Sequence, residues 1–205
     1  MLYIFDKIDS VSDDFYESKI SFLSEQRKVK VDRLRNNLNR NASCSVYLLL
    51  RLALSEIYNI DVAVDFAFGI NGKPYLKDYP YIFFSLSHSH NIAACAVAGV
   101  EIGVDVQKIK PVDEKVAKRV LSEDEYIQFL HSPSPDEYFC EIWTKKESFL
   151  KKSGDGITKE LREISADSLT GIKSFRGNDY YCTICGADMQ VKHIRRDDFE
   201  HLYGR

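Results

Sequence analysis

The stretch SPDEYFCEIWTKKESFLKKSGDG, residues 134–156, carries the strongest structural pattern of the chain. Ser134 followed by Glu137 has the spacing of a capping box, and Pro135 suits the first helical position, where its missing N–H has no partner to lose. Large apolar side chains then recur at helical spacing until two glycines stop the pattern. The stretch predicts a long amphipathic helix over residues 135–152.

Outward from this helix, apolar runs and turn signals predict a mixture of helices and short strands. Asn71-Gly72 marks a tight turn directly before Lys73, and Ser122 with Glu125 repeats the capping-box spacing. An apolar helix is predicted over residues 43–58, and strands over 1–5, 64–68, 83–86, 93–98, 101–106, 180–185 and 190–194.

Composition limits the classes of protein to which the chain can belong. With 205 residues, 44% of them hydrophobic and 29% charged, it is long enough for one large domain or two small lobes. The net charge of −3 lacks the basic footprint of nucleic-acid-binding proteins. The most apolar stretch, residues 46–54, is shorter than the ~20 residues of a membrane span, and the N-terminus has no secretion-signal pattern. We therefore expect a cytoplasmic protein without nucleic-acid or membrane partners.

Five cysteines, an odd number, lie mostly in apolar runs, as buried free thiols do. Cys182 and Cys185 form a lone CxxC pair on a predicted strand, where residues three apart face opposite sides. No second pair follows at zinc spacing, so we expect neither a zinc site nor a redox role.

Two oxygen-bearing side chains share one face of the strand IGVDVQ, residues 102–107. Strand alternation places Asp105 and Gln107 on the same side. Mg2+ takes one or two carboxylates and fills its other positions with water and substrate phosphate. The strand therefore suggests a magnesium site, although an exposed polar face of a half-buried strand has the same pattern.

On the helix of residues 135–152, Cys140, Thr144, Glu147 and Lys151 share a stripe opposite much of the apolar face. Glu147 and Lys151, one turn apart, form either a surface ion pair or part of a site. The glycines after the helix favour a site, because they allow a ligand to approach the lysine closely.

Hydroxyl and imidazole groups cluster at SLSHSH, residues 85–90, and all of them can donate to phosphate oxygens. A hydrolase triad is the alternative, but the Gly-x-Ser-x-Gly elbow is missing from the sequence. A basic run over residues 27–40 suits either phosphate binding or a solvated helix face.

Together these motifs resemble the ordered set of the 4′-phosphopantetheinyl transferases, in particular the longer surfactin-synthetase-activator type. The set comprises GKP at residues 72–74, FSLSHS at 84–89, IGVD at 102–105, WTKKESFLK at 143–151 and GDG at 154–156. The resemblance implies an α+β fold of two pseudo-symmetric lobes, each a small, mostly antiparallel sheet packed against a long helix. It also implies a monomer whose lobes span residues 1–102 and 103–205.

The resemblance assigns roles to residues of this chain. Asp105 and Glu147 match the family's Mg2+ ligands, with Gln107 at the position of a third. Glu147 is expected to take the proton from a carrier serine, and Lys151 and His88 to stabilise the reacting phosphorus. Contacts to coenzyme A are implied for Lys73, Ser87, His88, Lys146, Lys151, Arg27, Lys28 and Lys30.

The implied reaction moves the phosphopantetheine arm of coenzyme A to a serine of an apo acyl or peptidyl carrier protein and releases 3′,5′-ADP. Many relatives have glutamate where this chain has Gln107, so we expect weaker or more hydrated Mg2+ binding. A metal-dependent nucleotide phosphohydrolase and a non-catalytic module that binds coenzyme A or a carrier remain the alternatives. The sequence does not reveal which carrier is served.

Overall fold

The computed structural model describes residues 1–154 and 161–201 of the chain. The helices in these ranges are α1 (Asp13–Lys19), α2 (Glu25–Asp32), α3 (Asn37–Tyr58), α4 (Glu114–Val120), α5 (Glu123–His131), α6 (Pro135–Ser153) and α7 (Asp198–His201). The strands are β1 (Leu2–Phe5), β2 (Phe66–Phe68), β3 (Pro74–Leu76), β4 (Phe83–Ser89), β5 (Ile92–Ala98), β6 (Gly103–Lys108), β7 (Ile172–Arg176), β8 (Tyr180–Cys185) and β9 (Val191–His193). The fold is α+β, as predicted.

Two small sheets form the centre of the molecule. The first has the strand order β4-β5-β1-β9 and the second β6-β8-β7. Neighbouring strands run antiparallel, except β1 and β9, which are parallel. Strands β2 and β3 form a separate antiparallel hairpin.

The first sheet is buried on both faces. Tyr3 and Phe5 belong to the apolar cluster that contains α3, whereas Leu2 and Ile4 pack with Val104 and other side chains of the second sheet. This division follows from strand alternation. Helix α6 packs against β6 and β8 of the second sheet, so the predicted pairing of a small sheet with one long helix in each lobe is confirmed.

Three alternate serines of β4 join the two sheets. Their hydroxyl oxygens accept hydrogen bonds from backbone N–H groups of β6: Ser85 from Val104 at 2.9 Å, Ser87 from Val106 at 3.1 Å, and Ser89 from Lys108 at 3.1 Å. Edge N–H groups that would otherwise lack partners are satisfied in this way. The intervening residues of β4, Leu86 and His88, face the opposite side.

The end of the described chain returns to the first sheet. Strand β9 pairs with β1, and Phe199 of α7 is fully buried against Phe5 and Phe15. The division of the chain into lobes between residues 102 and 103 remains a prediction. Strand β9 follows this boundary in the sequence but belongs to the first sheet.

Capping boxes were predicted at the N-termini of α5 and α6, and one of the two is present. Ser122 forms the predicted capping box with Glu125 at the start of α5. Pro135 occupies the start of α6, but Ser134 makes no side-chain cap. The second predicted capping box is therefore wrong, and the backbone N–H of Ser134 instead donates to the hydroxyl of Ser132.

Gly154 ends α6 in the left-handed region with φ of +71°, as the sequence predicted. Asp155 and Gly156 of the same motif lie outside the described residues. Across the described ranges, none of the helices has both the length and the apolar character that crossing a membrane requires.

Candidate active site

The candidate site lies where β6 passes beneath α6, and Gly103 determines how closely the two approach. A Cβ atom built on Gly103 would overlap the carbonyl oxygen of Ser148, so only glycine allows the backbones to touch there. This contact brings Glu147 and Lys151 of α6 over Asp105 of β6. The predicted stripe on α6 therefore faces the predicted acidic strand.

Asp105, Ser87 and Lys151 form one hydrogen-bonded group. The ammonium of Lys151 donates to Asp105 Oδ1 at 2.7 Å and to Ser87 Oγ at 3.0 Å. The Ser87 hydroxyl lies 2.8 Å from the same carboxylate oxygen and also accepts from the Val106 N–H. A hydroxyl has one donor and two acceptor positions, and all three are occupied in Ser87.

Ser87 therefore has no position left for a phosphate oxygen in this arrangement. In this arrangement the buried hydroxyl contacts Asp105 and Lys151, and the direct contact of Ser87 with the coenzyme remains a prediction.

Glu147 is half-buried beside this group. Its pKa is raised, first by desolvation and then by the negative charge of Asp105, while Lys151 lowers it. Glu147 Oε1 and Asp105 Oδ2 are both buried and have no hydrogen-bond partner. Buried carboxylate oxygens without partners are uncommon and call for an explanation such as an ion.

Asp105 and Glu147 could thus bind a divalent cation, but they supply only two carboxylates. Two carboxylates suit Mg2+, which commonly retains several waters. Within residues 1–154 and 161–201, no group of three or more His, Cys, Asp or Glu side chains forms a cluster suited to a metal. Gln107 lies on the same strand with its amide nitrogen 3.5 Å from the Lys108 carbonyl, and its metal role remains a prediction.

A small cavity of about 280 Å³ opens beside Glu147 and Lys151. Its walls come from the turn of the β2–β3 hairpin, from β4 and from the end of α6. Lys73, predicted to lie beside a nucleotide, lines this cavity and forms an ion pair with Glu101. Leu86 and Pro74 also line a second, larger cavity, so the two spaces are neighbours.

The second cavity, of about 880 Å³, concentrates positive charge. Arg27, Lys30, Arg33 and His88 line it together with apolar and aromatic side chains. The guanidinium of Arg27 is buried over the ring of Tyr47, 5.3 Å from its centroid. A pocket with several cations and aromatic faces suits a polyanion that carries a planar base.

His88 faces this second cavity, on the opposite side of β4 from Ser87. Although His88 is exposed, its pKa is lowered, first by desolvation and then by the charges of Lys151, Lys30 and Arg27. An imidazole among cations gains a proton readily only when an anion joins them. The contact of His88 with a phosphate of the coenzyme remains a prediction.

Lys146 does not reach either cavity. Its side chain is fully buried, and its ammonium donates to Glu125 at 2.5 Å, to the Val120 carbonyl at 2.8 Å and to the Leu161 carbonyl at 3.1 Å. An ammonium has three donors, so none is left for a ligand. The prediction that Lys146 binds the coenzyme is wrong.

The contact predicted between Lys28 and the coenzyme remains a prediction. Lys28 forms an ion pair with Glu25 one helical turn away, at 2.6 Å, and it is absent from the residues that line the second cavity. Its neighbours Arg27 and Lys30 lie on the cavity side of α2. Consecutive helical residues point in different directions, so Lys28 lies on a different side of α2 from these two residues.

Several positions in this region escaped sequence reasoning. Gln26 anchors the base of the hairpin by hydrogen bonds to both backbone groups of Phe66. Glu101 pairs with Lys73 from the turn between β5 and β6. Gly103 carried a usable signal, because a glycine at the start of a buried strand often marks a close backbone approach.

The chain is similar in sequence to proteins of one known family. The model of the 4′-phosphopantetheinyl transferase superfamily matches residues 101–193. The 4′-phosphopantetheinyl transferase Sfp of Bacillus subtilis strain 168 is 31% identical over 158 residues, which cover 76% of this chain and 70% of that protein. The 4′-phosphopantetheinyl transferase HetI of a Nostoc species is 39% identical over 109 residues, covering 49% of this chain and 46% of that protein.

Another 4′-phosphopantetheinyl transferase of Bacillus subtilis is 33% identical over 147 residues, or 70% of this chain, and the chain covers 65% of its length. Among solved structures, the holo-[acyl-carrier-protein] synthase of Thermotoga maritima matches 42% of this chain and 61% of its own, with 21% identity and a TM-score of 0.30. The relation to Sfp, over more than two thirds of that protein, confirms the resemblance in the motifs. The chain belongs to the 4′-phosphopantetheinyl transferase superfamily.

Proposed function

We propose that the protein transfers the 4′-phosphopantetheine arm of coenzyme A to a serine of an apo acyl or peptidyl carrier protein, releasing 3′,5′-ADP. One observation carries the proposal: Asp105, Glu147 and Lys151 meet beside the smaller cavity, which adjoins the larger, cation-rich one. Two relatives of the chain in Bacillus subtilis are named 4′-phosphopantetheinyl transferases. The reaction is proposed to take place in the cytoplasm.

Binding of coenzyme A is divided between the cavities in this proposal. The nucleotide and its phosphates occupy the larger cavity, where Arg27, Lys30, Arg33 and His88 supply positive charge. The pyrophosphate reaches toward Lys151, which lines the smaller cavity. Cations in both cavities would contact the phosphates of coenzyme A and hold the reacting phosphorus in a defined position.

Asp105 and Glu147 are proposed to hold Mg2+ through their unpartnered buried oxygens. The ion would neutralise the charge of the pyrophosphate and of the departing 3′,5′-ADP. Lys151, whose ammonium is partly exposed, is proposed to contact the same phosphates. Gln107 is proposed to assist through its amide oxygen or through water.

The transfer itself forms one bond and breaks one. The carrier serine oxygen bonds to the phosphorus that bears the pantetheine arm, and the bond from that phosphorus to the bridging oxygen of 3′,5′-ADP breaks. Glu147 takes the serine proton. Lys151 and His88 stabilise the negative charge on the leaving bisphosphate.

The test is incubation with coenzyme A, Mg2+ and an apo-carrier, followed by the intact mass of the carrier. Transfer makes the carrier heavier by one phosphopantetheine arm. Release of 3′,5′-ADP with an unchanged carrier would indicate a phosphohydrolase, and no reaction would indicate a binding module.

Glu147→Gln should reduce transfer by about 100- to 10,000-fold, since a positioned general base contributes this much. Glu141→Gln is the matched control, because Glu141 lies on the same helix in an ion pair with Lys145. Near-normal transfer by the Glu147 variant would defeat the assignment of Glu147.

A further inference from the structure

The β2–β3 hairpin stands apart from both sheets yet touches both cavities. It forms its own two-stranded sheet. Its turn, residues 71–74, lines the small cavity, whereas Phe66, Phe68 and Pro74 line the large one. Any movement of the hairpin would therefore alter both cavities at once.

The base of the hairpin is anchored to α2 and β4. The side-chain amide of Gln26 accepts from the Phe66 N–H at 3.1 Å and donates to the Phe66 carbonyl at 3.2 Å. The Phe66 ring also lies 5.0 Å from that of Phe84. At the other end, Ile70 is fully exposed, so the turn has little apolar packing of its own.

Lys73 connects the turn end of the hairpin to the second lobe. Its ammonium forms an ion pair with the Glu101 carboxylate and donates to the Lys152 carbonyl at 2.6 Å. The carbonyl belongs to the last turn of α6, where backbone oxygens lack helical partners and favour cations. One side chain thus joins the hairpin, the β5–β6 turn and the end of α6.

Gly154 fits the stem of this lysine. A Cβ atom on Gly154 would lie 2.9 Å from Lys73 Cδ, and the positive φ of this residue already favours glycine. The glycine after α6 therefore serves two purposes, ending the helix and leaving room for the lysine that crosses it.

We propose that Glu101 is a positioning residue that fixes Lys73, the side chain that joins the β2–β3 hairpin to the end of α6, and so keeps the two cavities in shape for coenzyme A. Glu101 lines neither cavity and acts only through Lys73. The effect on coenzyme A rests on the proposed function, whereas the effect on the hairpin does not.

Amide hydrogen exchange of the whole protein without substrate tests the proposal directly. The amides of Gly69 and Gly72 donate within the hairpin, to Lys73 and Gly69 carbonyls. In Glu101→Gln their exchange should accelerate several-fold, while that of β5 stays unchanged, because only the hairpin loses an anchor. Hairpin exchange equal to that of the wild type would overturn the proposal.

Asp188→Asn is the matched control. It removes the carboxylate from another exposed lysine pair, Lys173 with Asp188 at 2.6 Å, in which neither partner belongs to the hairpin. Hairpin exchange should stay at the wild-type level in this variant. Acceleration in both variants would mean a general loss of stability and would contradict a specific role for Glu101.

Steady-state kinetics provides the second measurement. In Glu101→Gln the KM for coenzyme A should rise about threefold to fivefold with kcat nearly unchanged, as expected when ground-state and transition-state binding weaken equally through one partly exposed ion pair. Glu101→Asp, which retains the charge, should recover part of the loss.

Tighter coenzyme binding in Glu101→Gln would show instead that the carboxylate competes with a phosphate for Lys73, and would overturn the proposal. A wild-type protein that fails to transfer the arm would refute the proposed function. The exchange experiment would still decide the role of Glu101.

Discussion

Helix α6 carries two lysine–carboxylate groups with opposite properties. On one side, Lys146 is fully buried and all three of its donors have partners, as do both oxygens of Glu125. On the other side, Lys151 pairs with Asp105, while one oxygen of Asp105 and one of Glu147 remain buried without partners. The saturated group stabilises the fold, and the unsaturated group has capacity left for a ligand.

The difference arises from what surrounds each group. The Lys146 group connects α6 to α5 and to residues 161–166, which follow α6. Glu125 also accepts hydrogen bonds from the backbone N–H groups of Ser122 and Ala166. The Lys151 group opens to a cavity. Equal residue types on one helix therefore have different roles because of burial and hydrogen-bond satisfaction.

The largest expected effect comes from breaking the saturated group. Glu125→Gln leaves the Lys146 ammonium buried without its counter-charge, which should lower the free energy of unfolding by about 3–5 kcal/mol. Urea unfolding followed by circular dichroism measures this loss.

The double variant Glu125→Met with Lys146→Met removes both charges and should recover part of that stability. Recovery will be incomplete because the N–H groups of Ser122 and Ala166 lose their acceptor. A stable Glu125→Gln protein would show that the buried pair matters less than its geometry suggests.

A smaller effect is expected from separating the unsaturated group. Gly103→Ala places a methyl group against the Ser148 carbonyl, and forced overpacking of this kind costs about 1–3 kcal/mol. Because the methyl group pushes α6 away from β6, transfer should fall more than stability alone explains. Measuring both quantities in Gly99→Ala, where a Cβ atom meets open space, provides the control.

The protonation of Glu147 should make stability and Mg2+ binding depend on pH. The pKa of Glu147 is raised by desolvation and by Asp105, and Lys151 opposes this. Without metal, the stability from the neutral Glu147 is present at low pH and is lost as pH rises through the raised pKa.

Mg2+ requires the ionised carboxylate, so its binding should strengthen over the same rise in pH. The stabilisation that Mg2+ causes should therefore grow as the pH rises through the raised pKa of Glu147, and it should approach about 2.7 kcal/mol when Mg2+ reaches 100 times its Kd. The increase in Tm on adding Mg2+ measures this stabilisation. In Glu147→Gln the increase should be small at every pH. An equal increase in the variant would place the metal elsewhere.

Much of this architecture was predictable from local patterns. The apolar period and Pro135 predicted α6, and the motifs singled out Asp105, Glu147 and Lys151, which the fold brings together. Strand alternation also predicted that Asp105 would turn away from the core valines. These are properties of single elements, which short-range rules describe well.

Long-range partners were not predictable in the same way. Ser87 and His88 are neighbours in sequence but face opposite sides of β4, one satisfied by β6 and the other directed to a cavity. Lys146 is adjacent to the site in sequence, yet its partner Glu125 lies 21 residues earlier. Nor did any local signal show that Glu101 would meet Lys73.

The central claim is that Asp105 and Glu147 share one divalent cation. Titration with Mn2+, followed by electron paramagnetic resonance on the wild type and on the variants Asp105→Asn and Glu147→Gln, tests it most directly. One bound ion is expected in the wild type, displaced by Mg2+, and that binding should be lost in each variant. Wild-type Mn2+ affinity in either variant would contradict the account.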